Sequence, residues 1–419
     1  MSLIRRDLAH TVSPGSSVTQ TITPSARRVL TARNAVLLVF GLNGAAFMTF
    51  ASRIPDAKTA LHLSAGQLGL TLFAASAGSL SALPFSGRIA DRIGVVRAIL
   101  AGMVVSLTGL LVVAAAVDLA ESRWLMAVGL YLLGMGVGVW DVSMNLEGAT
   151  VERLMGRTVM PHFHAAFSGG TVLLALIGAL MSWARVPLLA HYGVATAVIV
   201  VLGLLGLRSF LAREVEVHSD EGSEPATPTA AKPRSAWLEP RTLMIGLVVL
   251  AAGFTEGTAN DWVSVGFVEG HDLPAWAGIL ALATFLGFMT TGRVLGTRLL
   301  DRHGRVPVLR FTFVLAAVGS LMVVFGDTAT AYVGAAVWGV GASLGFPVGM
   351  SASADDPVRA GARMSVVATI GYTAFIAGPP LLGFLGDHFT VLRALLVVTG
   401  MAALAMLVIP ATREQRAAG

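Results

Sequence analysis

Twelve apolar runs of the chain are each about as long as a helix that crosses a lipid bilayer, which needs roughly 20 residues. They lie at 34–52, 65–86, 98–117, 124–147, 161–184, 192–211, 243–266, 275–296, 307–325, 331–351, 364–384 and 391–409. Charged residues are only 13% of the 419, about half the share found in soluble domains. The sequence therefore predicts an all-α integral membrane protein with twelve transmembrane helices.

The runs form two sets of six, separated by a long polar stretch that contains several prolines. This spacing predicts two six-helix bundles in a 6+6 arrangement. We expect bundles at 31–212 and 243–410, joined by a cytoplasmic linker at 213–242. A Ser/Thr/Pro-rich N-terminal tail at 1–30 is expected to be disordered, and 411–419 to form a C-terminal cytoplasmic tail.

The two halves carry the same charged signature at the same place. Asp91-Arg92-x-Gly94 follows the second run, and Asp301-Arg302-x-Gly304 follows the eighth. A repeated loop at equivalent positions indicates an internal duplication, which in membrane proteins produces bundles related by a pseudo-twofold axis.

The basic residues are distributed as cytoplasmic loops require. With a cytoplasmic N-terminus, the cytoplasmic loops and tails hold 24 of the 29 Lys and Arg residues. The other five are Arg53, Lys58, Arg123, Arg185 and Arg393. By the positive-inside rule both termini face the cytoplasm, and we expect a multi-pass protein of the bacterial cytoplasmic membrane. The basic residues form no patch with interleaved aromatic residues, so no nucleic-acid partner is expected.

The 6+6 pattern, the central loop and Gly-x-x-x-Asp-Arg-x-Gly after the second run resemble the major facilitator superfamily. Asp141 followed by Asn145 resembles a pattern of its fucose-permease-like branch. The stretches MPHFHAAFSGGT and GFPVGMSASADDPVRAGARMSVVATIGY resemble poorly characterised bacterial members near that branch. The resemblance implies alternating access, gated by the two charged loops. The implied gating residues are Gly87, Asp91, Arg92, Gly94, Arg97, Asp301, Arg302, Gly304 and Arg305.

Polar residues recur at helical spacing inside several runs, which predicts a polar cavity between the bundles. The candidate substrate-binding residues are Asn43, Trp140, Asn145, His164, Asn260, Trp262 and Tyr372. Helix packing explains the two tryptophans as well, and an interfacial position explains His164. Asp261 is five positions from Glu256, about 140° around an α-helix, and is expected at the periplasmic mouth.

Two carboxylates, Asp141 and Glu256, lie deep inside apolar runs. An ionised carboxylate there costs roughly 2.5–3.5 kcal/mol. The only nearby candidate for a compensating cation, Arg293, is expected near a helix end. We therefore predict that both acids bind and release coupling protons. The alternative is a permanently protonated acid that is hydrogen-bonded to backbone carbonyls.

No enzyme activity, cofactor or metal is expected. The chain has no cysteine and no P-loop, and its one Gly-x-Ser-x-Gly match, at 341–345, lies inside an apolar run rather than at a strand-to-helix elbow. The function predicted is proton-coupled symport of a small polar solute, such as a sugar or related metabolite, by a monomer. Proton-driven export of drug-like compounds or metabolites, or a non-transporting receptor on the same fold, remain alternatives.

Overall fold

A computed structural model describes residues 25–211, 235–356 and 359–414. Within these residues, twelve helical spans are long and apolar enough to cross a membrane. Spans 1–6 are Ala26–Ala60, Ala65–Ile93, Val95–Asp118, Arg123–Met155, Met160–Trp183 and Leu188–Leu207. Spans 7–12 are Pro240–Gly270, Ala275–His303, Arg305–Phe325, Thr328–Ser353, Ala360–His388 and Val391–Thr412. The predicted all-α fold with twelve spans is confirmed.

Four of the spans are not continuous α-helices. Span 1 consists of Ala26–Ala51 and Ile54–Ala60, and span 10 of Thr328–Ala342 and Gly345–Ser353. Span 12 consists of Val391–Ala394, Leu396–Val408 and the 3₁₀ turn Ile409–Thr412. In span 7, a π-helical turn at Ala259–Val263 separates Pro240–Thr258 from Ser264–Gly270. The short 3₁₀ helix Ala236–Leu238 precedes span 7.

The helices extend beyond the apolar runs because capping residues set their ends. Span 1 begins at Ala26, where the Ser25 hydroxyl accepts a hydrogen bond from the Arg28 amide, so the last residues of the predicted tail at 1–30 are helical. Span 2 begins with a capping box between Ser64 and Gln67. The rest of the predicted tail, and most of the predicted linker at 213–242, lie outside the described residues.

The internal duplication is visible in the packing of both bundles. Spans 1 and 5, 2 and 4, and 3 and 4 pack together, and so do their counterparts 7 and 11, 8 and 10, and 9 and 10. A Cβ atom on Gly109 of span 3 would lie 2.5 Å from the carbonyl oxygen of Gly129, and one on Gly319 of span 9 would lie 2.6 Å from that of Gly334. The same backbone approach therefore requires glycine in each half.

The bundles meet where span 2 packs on span 11 and span 5 on span 8. A twofold operation that exchanges the halves turns each of these contacts into the other. We call the face that carries residues 25 and 414 the termini face, and the opposite face, with the loops that follow spans 1 and 7, the far face. At the far face Lys58 pairs with Glu269, and the Ser64 hydroxyl donates to Asp387 Oδ2 over 3.2 Å. The two halves are thus joined there.

At the termini face, ion pairs hold the second bundle together. Asp355 accepts from Arg241 at 2.8 Å and from Arg305 at 2.7 Å, which links spans 7 and 9 to the loop after span 10. Glu239, just before span 7, pairs with Arg363 of span 11 at 2.7 Å. Burial alone would raise the pKa of Glu239, but a hydrogen bond from Thr242 and the nearby guanidinium groups hold it below its ordinary value.

Candidate functional site

A cavity of about 370 Å³ lies between the two bundles, near the middle of the spans. Its wall is built by spans 1, 2, 4, 5, 7 and 11. The polar lining residues are Asn43, Ser76, Ser79, Asp141, Glu256, Asn260, Asp261 and Tyr372. Aromatic and aliphatic side chains complete it, among them Phe47, Phe50, Phe167 and Phe375. The sequence predicts polar stripes on five of these six spans and does not predict the contribution of span 2.

On span 4, Asp141 lines the cavity and Asn145 lies one turn further along the same helix. The Asn145 amide nitrogen donates to the Asp141 backbone carbonyl over 2.8 Å and lies 3.5 Å from Asp141 Oδ1. Glycine at position 134 allows span 4 to approach the backbone of span 2 at Ala75. No Lys or Arg of the described residues forms an ion pair with Asp141, whose carboxylate has the neutral Asn145 amide as its hydrogen-bond neighbour.

Glu256 on span 7 has a different environment. Arg293 Nη2 of span 8 donates to Glu256 Oε2 over 2.8 Å, with side-chain exposures of 32% and 19%. Arg293 Nε also lies 3.4 Å from the Ser343 carbonyl oxygen. The expectation that no cation reaches Glu256 is therefore wrong: span 8 continues to His303, which places Arg293 well inside the helix rather than at its end.

The π-helical turn of span 7 determines which of its side chains reach the cavity. A π turn closes its hydrogen bond over five residues, so a residue five positions on returns to the same face. Asp261 consequently lines the cavity together with Glu256 and Asn260. The expected position of Asp261, about 140° away at the mouth, assumed an uninterrupted α-helix and is corrected by this turn.

Asn43 on span 1 is the most unusual polar residue of the wall. It is fully buried, yet within the described part of the chain neither its amide nitrogen nor its oxygen has a hydrogen-bond partner. The Asn260 Oδ1 atom is likewise buried and unpaired. Buried amides normally find partners in the protein or in water. These atoms therefore leave hydrogen-bonding capacity unused in the wall beside the cavity.

Four of the predicted substrate-binding residues are not part of the cavity wall. Trp140 and Trp262 are fully buried; Trp140 packs against Gly102 of span 3, which supports the packing alternative. His164 is exposed and meets the edge of Phe40, with ring centroids 5.4 Å apart. Asn145 contacts Asp141 rather than the cavity. Asn43, Asn260 and Tyr372 do line it.

The predicted gating loops have the same backbone geometry in both halves. Gly94 and Gly304 have φ of 86° and 76°, a region that favours glycine, and each amide donates to the carbonyl four residues earlier over 2.8 Å. The acidic and basic residues around them, Asp91, Arg92, Arg97, Asp301 and Arg302, are exposed at the termini face, while Gly87 is half-buried. Arg305 belongs to the Asp355 ion pairs of the second bundle.

Sequence reasoning missed several elements of the site. Ser76 and Ser79 are three residues apart on span 2, and their spacing in an apolar helix is a usable signal. The Ser76 hydroxyl donates to the Phe375 carbonyl of span 11 over 2.7 Å, so it also joins the two bundles. The sequence identifies Arg293 as a candidate compensating cation, but it does not predict the length of span 8, which places Arg293 beside Glu256. Nothing in the sequence pattern indicates the π turn that brings in Asp261.

Comparison with known proteins places these features in a family. A model of the Major Facilitator Superfamily matches residues 36–299 and 274–418. An uncharacterised transporter of Sinorhizobium fredii is 33% identical, over 93% of this chain and 100% of the relative. An uncharacterised MFS-type transporter of Yersinia pestis is 31% identical, over 90% of this chain and 93% of the relative.

Solved transporters share the architecture. The structure of the nucleoside transporter NupG has a TM-score of 0.71 at 13% identity, with 93% of this chain and 100% of that chain covered. A variant of the E. coli fucose:proton symporter has a TM-score of 0.61 at 16% identity, with 93% and 100% covered. At these identities the likeness establishes the fold alone.

Proposed function

The chain belongs to the major facilitator superfamily and is a multi-pass membrane transporter rather than an enzyme, and on that premise we propose that it is a proton-coupled symporter of a small polar solute. Asp141 carries the coupling proton in this proposal. The solute occupies the central cavity, where Asn43, Asn260 and Tyr372 contact it. The transport cycle is alternating access of the cavity to the two sides of the membrane.

The observation that carries the proposal is the contrast between the two cavity acids. Glu256 has a guanidinium partner at 2.8 Å, so its charge is compensated in the protein. Asp141 has no such partner among the described residues. An ionised carboxylate without a partner in the middle of a membrane helix costs roughly 2.5–3.5 kcal/mol. Asp141 therefore favours its protonated form whenever the cavity is dry. A group that is neutral when occluded and ionised when wet can couple a proton to movement.

The cavity itself supports a small polar solute. Its volume of about 370 Å³ is near the lower end of the range of roughly 300–1,000 Å³ for small-molecule sites. Its wall combines unpaired amide groups with aromatic rings, which can hydrogen-bond to a hydroxylated ring and pack against its face. A large apolar drug would leave the buried amides of Asn43 and Asn260 without partners.

The proposed orientation places the termini face in the cytoplasm of a bacterial cell, since 23 of the 29 basic residues lie in the loops, helix ends and tails of that side once Arg293 is assigned to the interior of span 8. The loops with Asp91 and Asp301 would then open and close the cytoplasmic side. When that side closes, Asp91 at the end of span 2 is expected to meet the N-terminus of span 11, a contact worth roughly 0.3–1 kcal/mol and therefore reversible.

The coupling mode can be measured before the natural solute is known. Purified protein in liposomes that contain the pH-sensitive dye pyranine is given a panel of monosaccharides, polyols, nucleosides and lipophilic drugs. Symport predicts that an accepted solute acidifies the lumen as protons enter with it. Alkalinisation of the lumen would instead establish antiport. A solute that binds without any flux would establish a receptor, and either result overturns the proposal.

The test of Asp141 uses the solute found in that panel. Asp141→Asn keeps the shape of the side chain and removes its ionisation, so proton-driven accumulation should fall to the level of protein-free liposomes. Solute counterflow should persist, because the loaded carrier reorients without releasing a proton. Asp272→Asn makes the same charge change at the exposed far face and should leave both activities intact. Wild-type accumulation in Asp141→Asn would remove this residue from the mechanism.

A further inference from the structure

The charges around the cavity are of one sign. Three acids line it, Asp141, Glu256 and Asp261, and none of the described residues in the wall is Lys, Arg or His. Arg293 is not among the lining residues and is paired with Glu256. Two carboxylates without a cationic partner in the described chain therefore face the same space. Low-dielectric walls of one charge sign concentrate counter-ions.

A proton-coupled cycle accounts for only one of these two acids. If Asp141 exchanges the coupling proton, Asp261 is a second half-buried carboxylate that the cycle does not use. The π-helical turn at Ala259–Val263 directs the Asp261 side chain toward the cavity, whereas an uninterrupted α-helix would direct it away. A second acid that is ionised at this position is costly in the membrane unless a cation in the cavity pairs with it.

Two unpaired hydrogen-bond acceptors lie in the wall of the same cavity. The Oδ1 atoms of Asn43 and Asn260 are buried without a donor, and Asn43 is fully buried in the cavity wall. An ammonium group offers three N–H donors and no acceptor. The aromatic rings of Phe167, Phe375 and Tyr372 add faces over which a cation is attracted. The unpaired Asn43 amide nitrogen, in turn, suits a hydroxyl oxygen.

We propose that the transported solute carries a protonated amine, held by Asp261 and the acceptors of Asn43 and Asn260, with hydroxyl groups on the same molecule. This assignment rests on the proposed function and specifies the substrate class of that cavity. Neutral sugars would leave the Asp261 carboxylate uncompensated, and anionic solutes would be repelled by it.

The test compares solutes that share a carbon skeleton and differ in charge. The panel pairs glucosamine with glucose and N-acetylglucosamine, and glucamine with sorbitol and gluconate, together with a broad set of other hydroxylated amines and their neutral counterparts. Binding is measured as thermal stabilisation of the full-length protein in detergent. At least one amine should stabilise the protein, with an affinity at least tenfold above that of its neutral and anionic partners. A panel in which no amine exceeds its neutral partner overturns the proposal.

Variants of Asp261 then test whether this residue is responsible for the selectivity for amines. Asp261→Asn should lower the affinity for the selected amine at least tenfold, while Asp261→Glu, which retains the charge, should recover part of it. Asp272→Asn is the matched control and should bind as the wild type does. Undiminished amine binding in a monodisperse Asp261→Asn protein would contradict the assignment.

The two proposals fail differently. Proton-driven accumulation of a neutral solute, without amine binding, would leave the symport proposal intact and remove the amine. Amine binding that depends on Asp261, without proton movement in the pyranine assay, would retain the substrate class and remove the symport.

Discussion

Among the residues of the cavity, two buried acids that look alike in the sequence have different partners. Arg293 reaches Glu256 from span 8, whereas the hydrogen-bond neighbour of the Asp141 carboxylate among the described residues is the neutral Asn145 amide. The Arg293 guanidinium compensates the charge of the Glu256 carboxylate wherever this pair is preserved. Glu256 is thereby suited to organise the wall, and Asp141 to change its protonation state.

The Glu256–Arg293 pair can be tested by a double-mutant cycle. Glu256→Gln and Arg293→Met should each destabilise the protein, because each leaves its partner in the bundle without a counter-charge. The double variant should lose less than the sum of the two, with a coupling energy of about 0.5–3 kcal/mol. The measurement is equilibrium unfolding in mixed detergent micelles. Additive losses would show that the pair is not coupled and would return Glu256 to the proton-coupling candidates.

Residue identity alone allowed part of the site to be predicted. Asn43, Asp141, Glu256, Asn260 and Tyr372 reach the cavity as expected, because polar side chains in apolar helices avoid lipid. Whether a tryptophan lines the cavity or packs inside a bundle depends instead on how the neighbouring helices approach it. Span 3 meets the backbone and Cβ atom of Trp140 at Gly102, and the Trp140 side chain is fully buried; no periodicity in the sequence predicts this.

At the level of the helices, hydropathy was sufficient to identify all twelve spans, because the bilayer imposes a minimum length on each. It did not fix their ends, which capping residues such as Ser25 at the start of span 1 and Gly94 at the end of span 2 determine. Nor did it show the π turn at Ala259–Val263, since one extra residue per turn leaves the mean hydropathy unchanged. That turn is the element that brings Asp261 to the cavity.

The contact of spans 2 and 11 at the far face leads to a prediction about one glycine. A Cβ atom on Gly383 would lie 2.7 Å from the Ala65 carbonyl oxygen, so Gly383→Ala should push the two helices apart, at a cost of about 1–3 kcal/mol in the closed form. Since the chain has no cysteine, spin labels on His62→Cys and Phe389→Cys report the separation by pulsed electron spin resonance. The distance between the two labels should be longer in the Gly383→Ala protein than in the protein that retains Gly383.

Gly400→Ala provides the matched control, because a Cβ atom there meets nothing within 4 Å. It should leave the distance distribution unchanged. Equal label-to-label distance distributions in the Gly383→Ala protein and in the protein that retains Gly383 would mean that the close approach of spans 2 and 11 does not hold the far face shut.

For the molecule as a whole, the state described here is one in which the bundles are joined at the far face. The Lys58–Glu269 pair, the Ser64–Asp387 hydrogen bond and the Gly383 contact all link the first half to the second. Alternating access requires these contacts to break together. Because each is weak on its own, the closed state depends on their sum and can be shifted by small changes.

A charge exchange tests this dependence. Lys58→Glu replaces attraction by repulsion and should raise the population of the far-face-open form about fivefold, for a pair worth about 1 kcal/mol. The reporter is Ser79→Cys in the cavity wall, modified by a membrane-impermeant maleimide added from the far side. Lys58→Glu with Glu269→Lys restores the opposite charges and should restore the slow rate. Equal rates in all three proteins would exclude the pair from gating.

The size of the central cavity has a consequence for osmotic balance. At about 30 Å³ per molecule of liquid water, its 370 Å³ holds about a dozen waters. A solute that fills the cavity displaces most of them on the inward step, and the empty carrier takes water with it on the return. Under the proposed symport, each solute molecule that fills the cavity therefore exchanges places with up to about a dozen waters, so solute uptake and water movement through the protein are expected to oppose each other.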